Sequence, residues 1–174
     1  MLIVFTGNGK GKTTASLGQA VRAVGRGRNV LMIQFIKGPW KSGEDFIEIR
    51  NRETGKGGFE LKKMGLGFVG ILGDKLPKEE HAKAAREALK YFQEELSKRD
   101  VLILDEVNVA VSLGLLTAEE VLETVKGLPS EKIVLFTGRG APDSFIERAD
   151  LVTEMKEIKH PFNKKEFAKI AIEF

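Results

Sequence analysis

The sequence predicts an α/β fold: a single domain built on a mostly parallel sheet with helices on both faces. Three observations predict it. Short continuous apolar runs recur along the chain (Leu2 to Phe5, Val30 to Phe35, Val101 to Leu104, Ile133 to Phe136), as strands buried on both faces require. Segments with apolar residues at helical spacing alternate with these runs. The first run also breaks directly into a glycine-rich loop that opens a helix. With 174 residues, 42% of them hydrophobic, and no linker, repeat or low-complexity tract, one domain over residues 1–174 is expected.

The first strand, Leu2 to Phe5, passes into Thr6-Gly7-Asn8-Gly9-Lys10-Gly11-Lys12-Thr13-Thr14. Leu17, Ala20, Val21 and Val24 then recur as the apolar positions of a helix, which stops at Gly25-Arg26-Gly27. Val30 to Phe35 reads as the second strand. The loop Ile36 to Gly43 carries Trp40, and a short helix is expected from near Glu44. Asn51 to Gly58 is a polar, glycine-bearing turn. Phe59 to Met64 reads as a half-exposed strand, and Gly65 to Gly73 is apolar yet too rich in glycine for a helix. Lys78 to Lys98 is the clearest amphipathic helix. Ala82, Ala85, Leu89, Phe92 and Leu96 line one face and charges cover the other, which places His81 on the exposed side. Val101 to Leu104 follows as a central strand. Thr117 with Glu120 forms a capping box for a helix that ends near Gly127 and Pro129. Ile133 to Phe136 is a further strand, a helix spans Asp143 to Arg148, Leu151 to Met155 is extended, and Phe167 to Phe174 reads as a closing edge strand.

The glycine loop carries the first chemical signal. Glycines at 7, 9 and 11, with Asn8 and Lys10 between them, let backbone N–H groups turn toward an anion without a Cβ in the way. Lys12 reaches the outer phosphates, the Thr13 hydroxyl can sit on Mg²⁺, and the helix beginning near Thr14 adds the positive end of its dipole. The usual pattern has glycine where this chain has Thr6. In its strand–loop–helix setting the loop points to a nucleoside triphosphate and to a P-loop NTPase-like (RecA-like) domain, without specifying the reaction.

Asp105 and Glu106, at the end of a predicted strand, are the candidate Mg²⁺ residues alongside Thr13. Either Glu106 coordinates with Asp105 behind it, or the reverse; an exposed acidic turn is the plain alternative. Arg139, in a glycine-flanked loop beyond another strand, suits phosphate oxygens, against the alternative of an ordinary surface arginine. Trp40, Phe68, Ile71 and Leu72 place large apolar side chains in loops where polar turn chemistry is the rule. They suit a broad, flat, apolar ligand, or else fold back on the core or cover a subunit interface. His160, beside Pro161, is placed to approach a ligand.

Composition excludes other classes. No cysteine is present, which removes disulfides, thiolate metal sites and cysteine nucleophiles, and two histidines cannot form a metal cluster by themselves. A net charge of +3 is too small to argue for nucleic acid. No apolar run approaches a membrane span and no signal peptide precedes the first strand, so a cytoplasmic protein is expected.

These residues together resemble one family, the P-loop type ATP:corrinoid adenosyltransferases. The matching stretches are Thr6 to Thr14, Gln34 to Gly38 with Trp40 and Gly43-Glu44, Met64 with Gly67-Phe68, Leu104 to Glu106, Thr137 to Gly140, Ala149 to Met155, and Lys159 to Phe162. Thr6 itself belongs to the family's version of the loop. The resemblance implies attack of a Co(I) corrinoid, cobalamin or cobyrinic acid a,c-diamide, on the 5′ carbon of ATP, with the whole triphosphate leaving. It gives Lys12, Mg²⁺ and the loop amides the charge of the leaving group, and gives Arg139 a phosphate or the corrinoid side. Phe68 and Trp40 supply an apolar surface that favours loss of the lower axial ligand. A reduced flavodoxin is the implied electron donor and a homodimer the implied assembly. Two departures stand out: Gly70 occupies a usually aromatic position, and the longer N-terminal segment of better-known members is not seen before the first strand. The competing readings are a phosphoryl-transferring enzyme, which would form ADP, and a nucleotide-gated binding module, which would form no corrinoid product.

Overall fold

The computed structural model describes residues 1–71, 73–161 and 169–172. Strands β1 (Leu2–Thr6), β2 (Asn29–Gln34), β3 (Gly58–Lys63), β4 (Val101–Asp105), β5 (Ile133–Thr137) and β6 (Leu151–Glu154) form one six-stranded sheet in the order β3-β2-β4-β5-β1-β6. Every pairing is parallel, including Ile3 with Leu135, Met32 with Ile103 and Gln34 with Asp105. The sheet is thus wholly parallel where a mostly parallel one was expected. Its interior strands are the continuous apolar runs of the sequence, because both faces are covered.

Alternate strand residues feed two cores, as a period of two demands. Ile3, Val30, Met32, Val101, Ile103 and Leu135 face Ala20, Ala23 and Val24 of α1 (Lys12–Gly25). Leu2, Val4, Leu31, Ile33, Leu102, Leu104, Val134 and Phe136 face the opposite layer. That layer comprises α2 (Lys78–Glu95), α3 (Val107–Ser112), α4 (Ala118–Thr124) and α5 (Asp143–Arg148). Among the described residues, α-helices cover both faces unequally: one lies on the first and four on the second.

Several sequence expectations are corrected. Val21, read as an apolar face position of α1, is 52% exposed. The second helix ends at Glu95 and the fourth at Thr124, earlier than Lys98 and Gly127. The 107–112 segment was not expected to be helical. Its valines are poor helix formers, yet Val107 and Ala110 are fully buried and packing decides. His81 was expected on the exposed side of α2 and is 3% exposed, bonded to Asp74. The anticipated strand Phe167 to Phe174 lies in part outside the described residues, and Lys169 to Ile172, which are described, include a turn rather than a strand. The Thr117–Glu120 capping box forms as read, with Thr117 Oγ1 accepting from the Glu120 N–H at 3.1 Å.

Candidate functional site

The carboxyl ends of β1, β2, β4 and β5 bring the predicted loops together, and a pocket of about 440 Å³ opens there. Gly9, Lys10, Gly11, Lys12, Thr13 and Thr14 form one wall. Lys37, Gly43 and Glu44 arrive from the loop after β2, Glu106 from β4, Arg139 from the loop after β5, and His160 from beyond β6. Gly7 and Asn8 belong to the loop without lining the pocket.

The phosphate loop is shaped by its neighbours. Gly9 N–H donates to the Met155 carbonyl at 2.6 Å, and Met155 N–H to the Thr6 carbonyl at 2.8 Å, which lashes the loop to the end of β6. A Cβ on Gly9 would lie 2.7 Å from the Met155 carbonyl oxygen, so only glycine permits this approach. Lys12 Nζ folds back to the carbonyls of Gly7 (2.8 Å) and Gly9 (2.6 Å). Burial lowers its pKa against the pull of Glu106. The irregular Thr6 has a local role: its hydroxyl accepts the Ala141 N–H at 3.2 Å and so ties β1 to the loop that carries Arg139.

Asp105 is fully buried and accepts from three side chains: Thr13 Oγ1 at 2.9 Å, Thr137 Oγ1 at 2.7 Å and Gln34 Nε2 at 3.0 Å. It does not line the pocket itself and reaches it through Thr13 and through Gln34. Glu106 lines the pocket itself. Its backbone sits at φ +65°, and its N–H donates to Thr137 Oγ1 at 3.0 Å. Burial, reinforced by the Asp105 charge, pushes the Glu106 carboxyl up to about 7.

Gln34, Lys37 and Glu44 were noted in the sequence only as parts of matching stretches, and the structure joins them. Gln34 Nε2 also donates to Glu44 Oε1 at 3.3 Å, and Lys37 Nζ pairs with the same oxygen at 2.7 Å. Burial would raise the Glu44 carboxyl, but the Lys37 bond, its own backbone N–H and Ser42 outweigh it and hold the group down at about 2. Asn108 also went unread. It donates to the carbonyls of Phe5 (3.3 Å) and Gly138 (3.0 Å) and so joins the ends of β1 and β5. No spacing rule flags either side chain, because their partners lie 71 and 103 residues away.

Trp40 and Phe68 lie outside this pocket. Their rings pair at 5.7 Å, 61% and 43% exposed, and Ile71 is also exposed. They did not fold back onto the core; Leu72 lies outside the described residues. The two loops meet backbone to backbone, since a Cβ on Gly38 would stand 2.8 Å from Gly67 Cα. Among the described residues, no three His, Cys, Asp or Glu side chains gather as a metal cage, and no helix is long and apolar enough to cross a membrane.

A family model described as ATP:corrinoid adenosyltransferase BtuR/CobO/CobP matches residues 1–174. The corrinoid adenosyltransferase of Escherichia coli (strain K12) is 38% identical over 177 residues, covering 100% of this chain and 85% of the relative. Corrinoid adenosyltransferase CobA of Salmonella typhimurium is 36% identical with the same coverage. A corrinoid adenosyltransferase of Pseudomonas aeruginosa is 38% identical over 176 residues, covering 83% of its length. With the family model spanning residues 1–174 and these relatives 36–38% identical over the full length of this chain, the chain belongs to the ATP:corrinoid adenosyltransferase family.

Proposed function

We propose that this chain transfers the 5′-deoxyadenosyl group of ATP to the cobalt of a Co(I) corrinoid, cobalamin or cobyrinic acid a,c-diamide, and releases triphosphate. One observation carries the reading. The Ile36 to Gly43 loop belongs to two unlike surfaces at once: Lys37 and Gly43 line the charged pocket, while Trp40 stands exposed against Phe68. A polyanion and a broad apolar ring system would meet across that loop.

The Co(I) electron pair forms the bond to C5′, the C5′–O bond breaks, and its electron pair departs with the triphosphate. No general base is required. Lys12, Arg139 and the loop N–H groups stabilise charge on the leaving group. On binding, Lys12 would exchange two neutral carbonyl acceptors for charged oxygens, which are the stronger partners. Thr13 and Glu106 offer hard oxygen donors at the pocket, and Asp105 takes the Thr13 hydroxyl proton's direction, leaving that oxygen's lone pairs open. This donor set fits Mg²⁺, which is held by few protein groups when phosphates supply the rest. Thr13 and Glu106 would hold it, and Asp105 would act through Thr13. Bound there, it neutralises negative charge on the triphosphate. Phe68 and Trp40 present the apolar surface to the corrinoid. A reduced flavodoxin as electron donor, a homodimer and a cytoplasmic location complete the proposal.

The test is anaerobic incubation with ATP, Mg²⁺ and chemically reduced cobalamin. A light-sensitive adenosylcobalamin spectrum with one triphosphate per product is expected. Release of ADP without a corrinoid product would overturn the reading in favour of phosphoryl transfer.

A further inference from the structure

Buried His81 and half-buried Asp74 form a pair that the reaction as proposed does not use. His81 occupies the first turns of α2, 3% exposed, and its Nε2 lies 3.0 Å from Asp74 Oδ2. The same carboxylate oxygen accepts the Gly70 N–H at 2.9 Å, while Oδ1 accepts the Leu76 N–H at 3.1 Å. These two N–H bonds, Gly70 foremost, hold the Asp74 carboxyl below the ordinary carboxylate range. Asp74 is therefore an ionised acceptor, and His81 Nε2 is the donor.

The pair joins a rigid element to a thin one. Helix α2 is fixed to the core through Ala85, Ala88, Leu89 and Phe92, all buried. The Gly65 to Ile71 segment has Leu66, Phe68 and Ile71 exposed and only Val69 packed partly on that core. Gly70 holds φ +69°, a conformation that a side chain adopts only with strain, although open space surrounds the position of a Cβ. Gly70 is thus where the backbone turns to reach Asp74.

We propose that Asp74 and His81 are positioning residues that clamp the Phe68 loop in the shape that receives the corrinoid. His81, anchored in α2, orients the Asp74 carboxylate. Asp74 holds the Gly70 N–H, two residues beyond Phe68, and so sets the plane of the Phe68 ring against Trp40. The proposal rests on the reading of the Phe68 surface as the corrinoid face.

Trp40 is the only tryptophan in the chain, which gives the loop a reporter independent of activity. The experiment compares His81→Leu, Asp74→Asn and the conservative His81→Gln, which keeps an N–H donor, with Phe68→Ala alongside. Circular-dichroism melts select the variants that fold; Asp74→Asn serves if His81→Leu does not. Folded His81→Leu and Asp74→Asn are expected to alter Trp40 emission and acrylamide quenching. They should also raise KM for cob(I)alamin about fivefold, the loss of roughly one hydrogen bond, while KM for ATP is unchanged. His81→Gln should restore both readouts. Unchanged Trp40 emission and unchanged corrinoid KM in folded His81→Leu and Asp74→Asn, with Phe68→Ala impaired, would overturn the clamp alone. Phe68→Ala with normal corrinoid KM would instead overturn the reading of the surface, and Trp40 emission alone would then decide whether the clamp exists.

Discussion

Asp105 has three donors aimed at it and no exposure, so its carboxylate serves the site by holding other groups still. Glu106, one residue on, has the opposite character: its pKa rises from an ordinary 4.5 to about 7. The unfolded chain releases this proton near 4.5 and the folded chain only near 7. Folding is therefore favoured by the protonated group at low pH, and that contribution is lost as pH rises through the window. The shift corresponds to roughly 3 kcal/mol. Glu106→Gln cannot ionise, so thermal melts should show a flatter pH dependence between 4.5 and 7 and a higher midpoint than the parent at pH 8. Identical slopes would show that Glu106 does not carry the raised pKa. Gln34 is the hinge between Asp105 and Glu44. Gln34→Leu keeps the volume but leaves two carboxylates short of a donor, and should cost about 1–3 kcal/mol in denaturant titrations while raising KM for ATP. The acidic pair was legible as a motif. Its division of labour was not, because burial and donors from α1, β2 and β5 decide it.

The phosphate loop works as an element only because β6 lies against it. Gly9→Ala would drive a Cβ to 2.7 Å from the Met155 carbonyl oxygen and 2.8 Å from the Lys156 carbonyl carbon. The clash should cost about 1–3 kcal/mol and weaken nucleotide binding as the loop leaves its seat. Gly18, exposed within α1 with open space around it, is the contrast: Gly18→Ala should raise stability by about 0.5–1 kcal/mol, read as a higher melting midpoint. The strands were readable because buried parallel strands write themselves as unbroken apolar runs. Two helical features were less readable. The 107–112 helix forms against its own valine content, and His81 is buried by Asp74, a loop residue that no helical pattern registers.

At the scale of the whole molecule, the order β3-β2-β4-β5-β1-β6 inserts β5 between the phosphate-loop strand and the acidic strand. Thr137 at the end of β5 then bridges Asp105 and the Glu106 N–H, and Arg139 follows it into the pocket. A ligand seated there touches loops after four strands and should stabilise the fold as one unit. ATP with Mg²⁺ at one hundred times its dissociation constant should add about 2.7 kcal/mol, seen as a raised melting midpoint. Lys12→Ala should abolish that shift while its unliganded midpoint stays close to the parent's, since among the described residues Nζ bonds to loop carbonyls alone. A full shift in Lys12→Ala would remove the lysine from the triphosphate site. By itself the sequence determined the α/β class, the phosphate loop and, facing it, Glu106 and Arg139, because strand burial and anion binding both leave local patterns. The tertiary structure decided which carboxylate faces the pocket, how Gln34 links Asp105 to Glu44, what Thr6 holds, and that His81 is buried against Asp74. Those depend on side chains brought together from distant segments, and contact across such distances leaves no period in a sequence.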